Sequence, residues 1–328
     1  MELELSIVIP TYNRVDILRE TIEDLLSQSL SKERFEIIIV DDGSIDGTTD
    51  MLNDLKSQTT HNLKTYRQKN QLSGSARNLG IKAADAPIIL SMDDDLSAHP
   101  DLLKYHLELH HRYPEAESAV LGKVETSRDG VDLLTPNNRA IYSMNTTEHR
   151  DPIVDVSYFT TQNISLKKEF VIKAGMFTPG LPRLDDMELA FRLKEQGLNL
   201  IYCPKAVVIH NQPLDTLEKV VNSGKLYGRT LGEYYDQIPL FQKEITSLGA
   251  RFSGGWSGLI HHPYGHLKDA VRRWIINKYS IGLLLVMASR IPVTNPPSRA
   301  LVRCCKEIWS YYYRAKFKER RRQLKTGA

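Results

Sequence analysis

The sequence predicts an α/β protein: a mostly parallel, doubly wound sheet flanked by helices, with a helical C-terminal extension. Three observations predict it. Short apolar runs alternate with helical-period stretches from Leu5 to Arg112. These runs end in polar residues, at Thr11, Asp42 and Asp93-Asp94-Asp95, so the chemistry collects on one edge of the sheet. From Pro213 onward, strand character gives way to amphipathic helical spacing.

Leu5-Ser6-Ile7-Val8-Ile9 is a near-continuous apolar run stopped by Pro10, as in a strand buried on both faces. Val15 to Gln28 carries Ile17, Leu18, Ile22, Leu25 and Leu26 at helical spacing. Phe35 to Val40 is a second strand, ending in Asp41-Asp42-Gly43-Ser44. A helix over Thr48–Lys56, a strand near Leu63–Tyr66 and a helix around Ser75–Ala84 follow. Pro87 to Leu90 leads into Ser91-Met92 and the Asp triplet, and Pro100–Arg112 reads as the next helix. Strand character is expected again at Ser118–Glu125 and Val154–Thr160. Short helices are expected at Lys168–Ala174 and Asp185–Gln196, the second closed by Gly197. Asn199–Cys203 and Ala206–His210 read as two short strands. The expected division is 1–212 for the sheet domain, with halves of about 1–115 and 116–212, and 213–328 for the helical region.

The 328 residues are 41% hydrophobic, 25% charged and carry a formal net charge of +3, so no global basic excess points to nucleic acid. Three cysteines, Cys203, Cys304 and Cys305, form no disulfide framework, which points to a reducing compartment. Met1-Glu2-Leu3-Glu4 lacks a basic n-region, so no signal peptide is expected. The longest apolar run, Ile281 to Ala288, is too short to span a bilayer.

Three adjacent carboxylates at a strand end repel one another, and a hard divalent cation relieves that repulsion. The Asp42 turn can cap a helix or accept a nucleobase ring N–H. Ser73-Gly74-Ser75-Ala76-Arg77-Asn78 opens a helix where N–H groups and Arg77 can hold phosphate. Asp185-Asp186 at a helix start either complement the dipole or supply a positioned base. His210 ends an apolar run and can complete a metal site begun by Asp95. His110-His111, and His261-His262 with His266, lack partners at zinc spacing.

In order, Ser6 to Arg14, the Asp42 turn, Ala76-Arg77-Asn78, the Asp triplet, Asn163 to Lys168, the Asp185-Asp186 helix and His210 resemble the inverting glycosyltransferases of family 2, with the GT-A fold. The resemblance covers about residues 4 to 212. It implies a nucleotide site lined by Pro10, Thr11, Tyr12 and Arg14, with Asp42 on the pyrimidine and Arg77 in the nucleotide segment. The triplet matches the family's DxD motif, with Asp93 or Asp94 on the ribose and Asp95, joined by His210, on Mn²⁺ or Mg²⁺. Asp186 matches the catalytic base, and Asp185 stands where Glu is commoner, on the acceptor side. The implied partners are a nucleotide-sugar donor, expected to be UDP-linked, and a glycan or lipid-linked acceptor.

Beyond Pro213 the resemblance fades. Trp256 in its Gly-rich loop is a candidate acceptor contact, and the aromatic, basic stretch 272–325 is a candidate for peripheral membrane contact. The expected location is cytoplasmic, against the inner face of the membrane. Two other readings are an inactive sugar-nucleotide-binding scaffold and a nucleotidylyltransferase. The latter expects a glycine-rich, lysine-bearing loop after the first strand, where this chain has Pro10-Thr11-Tyr12-Asn13-Arg14.

Overall fold

The computed structural model describes residues 2–126, 153–211, 216–238, 281–290, 308, 311–313 and 315–323. The chain forms two compact units, one of residues 1–127 with 140–211, the other of 128–139 with 212–328.

In the first unit an eight-stranded mixed sheet is built from β1 (Leu5–Thr11), β2 (Phe35–Asp41), β3 (Leu63–Arg67), β4 (Ile88–Met92), β5 (Leu96–Ala98), β6 (Ser118–Thr126), β7 (Asn163–Lys167) and β8 (Asn199–His210). Their order is β3-β2-β1-β4-β7-β6-β8-β5. The first four in that order are parallel, as the strand–helix alternation demands. β7 then runs antiparallel to both β4 and β6, and β5 antiparallel to β8. β1 and β2 are buried along their whole length, which explains their unbroken apolar runs. The helices are α1 (Val15–Leu26), α2 (Thr48–Gln58), α3 (Leu72–Ala83), α4 (Leu102–Arg112), α5 (Lys168–Lys173) and α6 (Asp185–Glu195). The core joins Ile7, Ile9, Ile37, Ile39 and Leu90 of the sheet to Leu18, Ile22 and Leu25 of α1 and to Leu103 and Leu107 of α4.

Two expectations are corrected. Val154–Thr160 is not a strand: Ile153 makes one bridge to Ile201, and Val156–Tyr158 is a 3-10 turn. Val156 and Phe159, three residues apart, both bury their side chains, which suits a tight helical turn rather than a two-residue period. The two strands expected at 199–203 and 206–210 are one. Gly122 pairs with Cys203 but Lys123 pairs with Val207, so 204–206 bulge outward and accommodate Pro204, which has no N–H for a ladder.

In the second unit, α7 (Leu217–Tyr234) begins at Thr216, whose hydroxyl accepts the N–H of Lys219 at 3.2 Å. Val220 of α7 packs with Ile281 and Ala288 of α8 (Ile281–Arg290) and with Ile308. Among the described residues no helix is long and apolar enough to cross a membrane.

Candidate active site

Because β1, β2, β4, β6 and β8 run in one direction, their carboxyl ends share an edge. Register then decides which side chains meet there. β5 begins directly after the Asp triplet, and Leu96 pairs with His210 at the end of β8. Asp95 is therefore set beside His210: Nε2 lies 3.3 Å from Asp95 Oδ2, and the N–H of Asn211 donates to the Asp95 carbonyl at 3.0 Å.

Pro10 sits where β1 has passed the end of the β4 ladder, so its missing N–H costs no β4 pairing. Thr11 donates its hydroxyl to Asp94 Oδ2 at 2.7 Å. Tyr12 is 46% exposed at the mouth of the crevice. Arg14 reaches Asp95 Oδ2 at 2.6 Å and Asp94 Oδ1 at 3.5 Å.

Asp42 accepts from Gln68 Nε2 at 2.7 Å and from the N–H groups of Gln71 and Leu72, each at 2.9 Å. It thus fixes the entry to α3 and keeps one acceptor position on Oδ2. Leu72 holds a left-handed φ of 72°, and Gly43 turns at φ 89°, where a Cβ would also sit a tight 3.2 Å from Asn70 N and Gln68 O.

Arg77 is buried on α3 between two carboxylates. Its Nη2 donates to Asp93 Oδ1 at 2.6 Å and Nη1 to Asp185 Oδ2 at 3.2 Å, while its guanidinium stacks 5.6 Å from the Phe177 ring centroid. Asp185 and Asp186 open α6 after Leu184, whose left-handed φ of 70° turns the chain into the helix. Two clamps join α3 and α6 through the 174–177 segment. Asn78 exchanges hydrogen bonds with the backbone of Phe177 at 2.8 and 2.9 Å, and Arg192 pairs with Glu188 at 2.6 Å while capping the carbonyls of Ala174 and Met176.

The carboxylates are held in different states. Burial, then the neighbouring Asp185, pushes Asp186 up to about 7. Burial also pushes Asp94 up to about 6, against the pull of Arg14 and the Thr11 hydroxyl. Asp93 is raised by burial despite Arg77. Burial opposes the charge of Asp95 too, but His210 and then Arg14 outweigh it, and its pKa is lowered.

The residues present fit a divalent cation. Asp95 Oδ1 is buried with no hydrogen-bond partner, on a carboxylate kept ionised beside a histidine. Among the described residues no group of three or more His, Cys, Asp or Glu side chains is arranged to hold a metal alone, so further ligands would come from a bound anion or water.

The structure therefore brings these residues together in two adjoining sets of polar contacts, Thr11, Arg14, Asp94, Asp95 and His210 in one and Arg77, Asp93 and Asp185 in the other, joined along the chain at Asp93-Asp94, with Asp186 beside Asp185. Asp42, Pro10 and Tyr12 border it. Trp256 lies outside the described residues. Sequence reading named Ser73 only within the Ser73–Asn78 segment and missed its hydroxyl bond to Asp185 at 3.3 Å; it missed Gln68 on Asp42 altogether, which stands in no run that marks it.

The mixed sheet flanked by helices is the GT-A fold, shared with the similar solved structures. The chain belongs to glycosyl transferase family 2, whose model matches residues 6–178. Escherichia coli chondroitin synthase is 28% identical over 248 residues, covering 64% of this chain and 35% of the relative. The poly(ribitol-phosphate) beta-glucosyltransferase of Bacillus spizizenii is 38% identical over 106 residues, 32% of this chain and 17% of the relative. The matched segments thus span about a third or less of these relatives. Among solved structures, the Pyrobaculum calidifontis mannosyltransferase PcManGT, in complex with GDP-Man and Mn²⁺, is similar in fold at a TM-score of 0.62 and 14% identity, over 98% of this chain and 88% of that one.

Proposed function

We propose that this protein transfers a sugar from a nucleoside-diphosphate donor to an acceptor hydroxyl with inversion at the anomeric carbon. The observation that carries the proposal is Arg77, which ties the Asp93–Asp95 segment to the Asp185-Asp186 helix start. A donor site and a base are thereby held on two sides of one crevice, as a displacement with inversion requires.

In this reading Pro10, Thr11, Tyr12 and the remaining acceptor position of Asp42 receive the nucleoside. Asp93 or Asp94 takes the ribose hydroxyls. Asp95 and His210 hold Mn²⁺ or Mg²⁺, which would offset the charge gathering on the leaving diphosphate. Asp186 takes the proton from the acceptor hydroxyl, and its raised pKa suits a base working near neutrality. Asp185 stays paired to Arg77 and orients that helix end.

The donor we assign is UDP-linked, on the family resemblance that sets Asp42 against the ring N–H of a pyrimidine. The similar solved structures include one bound to GDP-Man and, in Staphylococcus aureus TarS 1-349 at TM-score 0.55, 16% identity and coverage of 99% of this chain and 92% of that one, one bound to UDP-GlcNAc. The acceptor is a glycan or a lipid-linked saccharide, in keeping with polymer-building relatives such as chondroitin synthase. Residues 1–212 would be the catalytic domain and 213–328 a helical region touching the inner membrane face. The basic and aromatic composition of 272–325 supports that contact. The presence of both Asp95 and Asp186 argues against an inactive scaffold.

The test is a nucleotide-release screen over common UDP- and GDP-sugars with Mn²⁺ and a pool of glycan and lipid acceptors. Release from a UDP-sugar, lost in Asp95→Ala, supports the reading. Release from a GDP-sugar alone overturns the donor assignment, and release unaffected by Asp95→Ala overturns the metal site.

A further inference from the structure

We infer that Arg14 is a built-in counter-cation that occupies Asp95 in the nucleotide-free protein and gives way when a divalent cation loads, so that cation binding is gated by the nucleotide. The inference rests on the metal site proposed above and concerns how that site is kept before the donor arrives.

The guanidinium of Arg14 holds one oxygen of Asp95 at 2.6 Å and leaves the other, Oδ1, buried and without a partner. A buried ionised carboxylate satisfied on one side only is an incomplete pairing. Arg14 also stands 3.5 Å from Asp94, so one movable charge serves two acids of the triplet.

The backbone around Arg14 is fixed while its side chain is not. Asn13, at a left-handed φ of 54°, donates its N–H to Ser44 Oγ and accepts the N–H of Ile45, both at 2.8 Å. Val15 donates its N–H to Asp46 at 3.1 Å. The side chain of Arg14 is 37% exposed against 8% for Asp95, so it can leave the carboxylate for solvent or an incoming phosphate without moving the loop. The same loop is pinned to the turn following Asp42, so nucleoside and Arg14 share one support.

A cation approaching the free site must displace Arg14 with only Asp95 and His210 to replace its water. A nucleoside diphosphate adds phosphate oxygens, which both ligate the cation and offer Arg14 a new anion. Affinity for the metal therefore rises with the nucleotide, as a coupling between the two ligands.

The test is Mn²⁺ binding to the full chain, without and with UDP, read from loss of the free-ion paramagnetic resonance signal. Wild type, Arg14→Met, Asp95→Asn, the Arg14→Met/Asp95→Asn double variant and Arg67→Met would be compared. Without UDP, Arg14→Met is expected to bind Mn²⁺ tighter by on the order of tenfold, as removal of a close, partly buried competing charge implies, and that gain should shrink with UDP present. The double variant should lose that gain. Arg67→Met, the same charge change at Asp41, should leave affinity as in wild type. Unchanged or weaker binding in Arg14→Met, or an equal gain in Arg67→Met, overturns the counter-cation role alone. If Asp95→Asn binds Mn²⁺ with UDP as tightly as wild type does, the metal site itself is overturned and this inference with it.

Discussion

Nε2 of His210 lies 3.3 Å from Oδ2 of Asp95, although Asp95 directly precedes β5 and His210 ends β8, far apart in sequence. The cause is register: the three-residue β5 follows the Asp triplet and pairs Leu96 with His210. A short strand with little core of its own thus sets the geometry of the proposed metal site.

Asp186→Asn should reduce turnover by on the order of 10²- to 10⁴-fold, the usual contribution of a general base. In the wild type, kcat/KM should rise with pH through about 7, where Asp186 loses its proton. A profile flat from pH 5.5 to 8.5, measured with saturating metal, would count against this residue as the base.

The same substitution should stabilise the fold at high pH. Asp186 holds its proton more tightly in the folded chain than in the unfolded one, so stability falls as pH rises from the usual carboxylate range toward about 7. Removing the charge should recover on the order of 1 kcal/mol above pH 7, after discounting for solvent screening. Denaturant midpoints at pH 5 and pH 8 check this, with the gain confined to the higher pH.

Arg77→Met should cost about 3 kcal/mol, because it strands the buried Asp185 and the partly exposed Asp93 without their shared cation. Arg77→Lys keeps a charge but not the two-pronged reach, and should lose turnover more than stability. Urea unfolding and donor turnover, measured on both variants, separate the two effects.

How much of this was legible follows from where the information lies. Thr11, Asp42 and Asp93–Asp95 stand at the ends of apolar runs, so their alignment on one edge follows from period and order, whereas Asp185-Asp186 and His210 join them in the sequence only through the family resemblance. β5 and the bulge at 204–206 were not legible, because three-residue pairing and a register shift leave no periodic trace. Neither was the polar network behind the sheet. Asn163 and Ser165 of β7 point at His106 and His110 of α4, with His106 contacting both at 2.8 Å, yet in sequence they read as ordinary polar positions.

That network has a pH signature of its own. Burial lowers His106 to about 4, so its contribution to stability is intact above pH 6.5 and is lost as pH falls toward 4. His106→Gln should be less stable than wild type at pH 7 but show a flatter decline below pH 6.5. Thermal unfolding across that range is the check; a parallel decline in both proteins would contradict it.

Gly122→Ala should destabilise the first unit by about 1–3 kcal/mol, since a Cβ there would overlap the Asn163 amide and the Ala206 carbonyl. Urea unfolding of the variant is the check, and wild-type stability would contradict the packing described at the β8 bulge.

The central claim is that the Asp186 base and the Asp95–His210 donor site are separate parts of one crevice. The most direct measurement is UDP affinity and donor turnover, both with saturating Mn²⁺, on wild type and Asp186→Asn side by side. The account predicts UDP binding unchanged to within about threefold and turnover lower by at least about a hundredfold, as expected when only the proton-transfer step is removed. Turnover close to wild type, or loss of UDP binding in step with turnover, would contradict it.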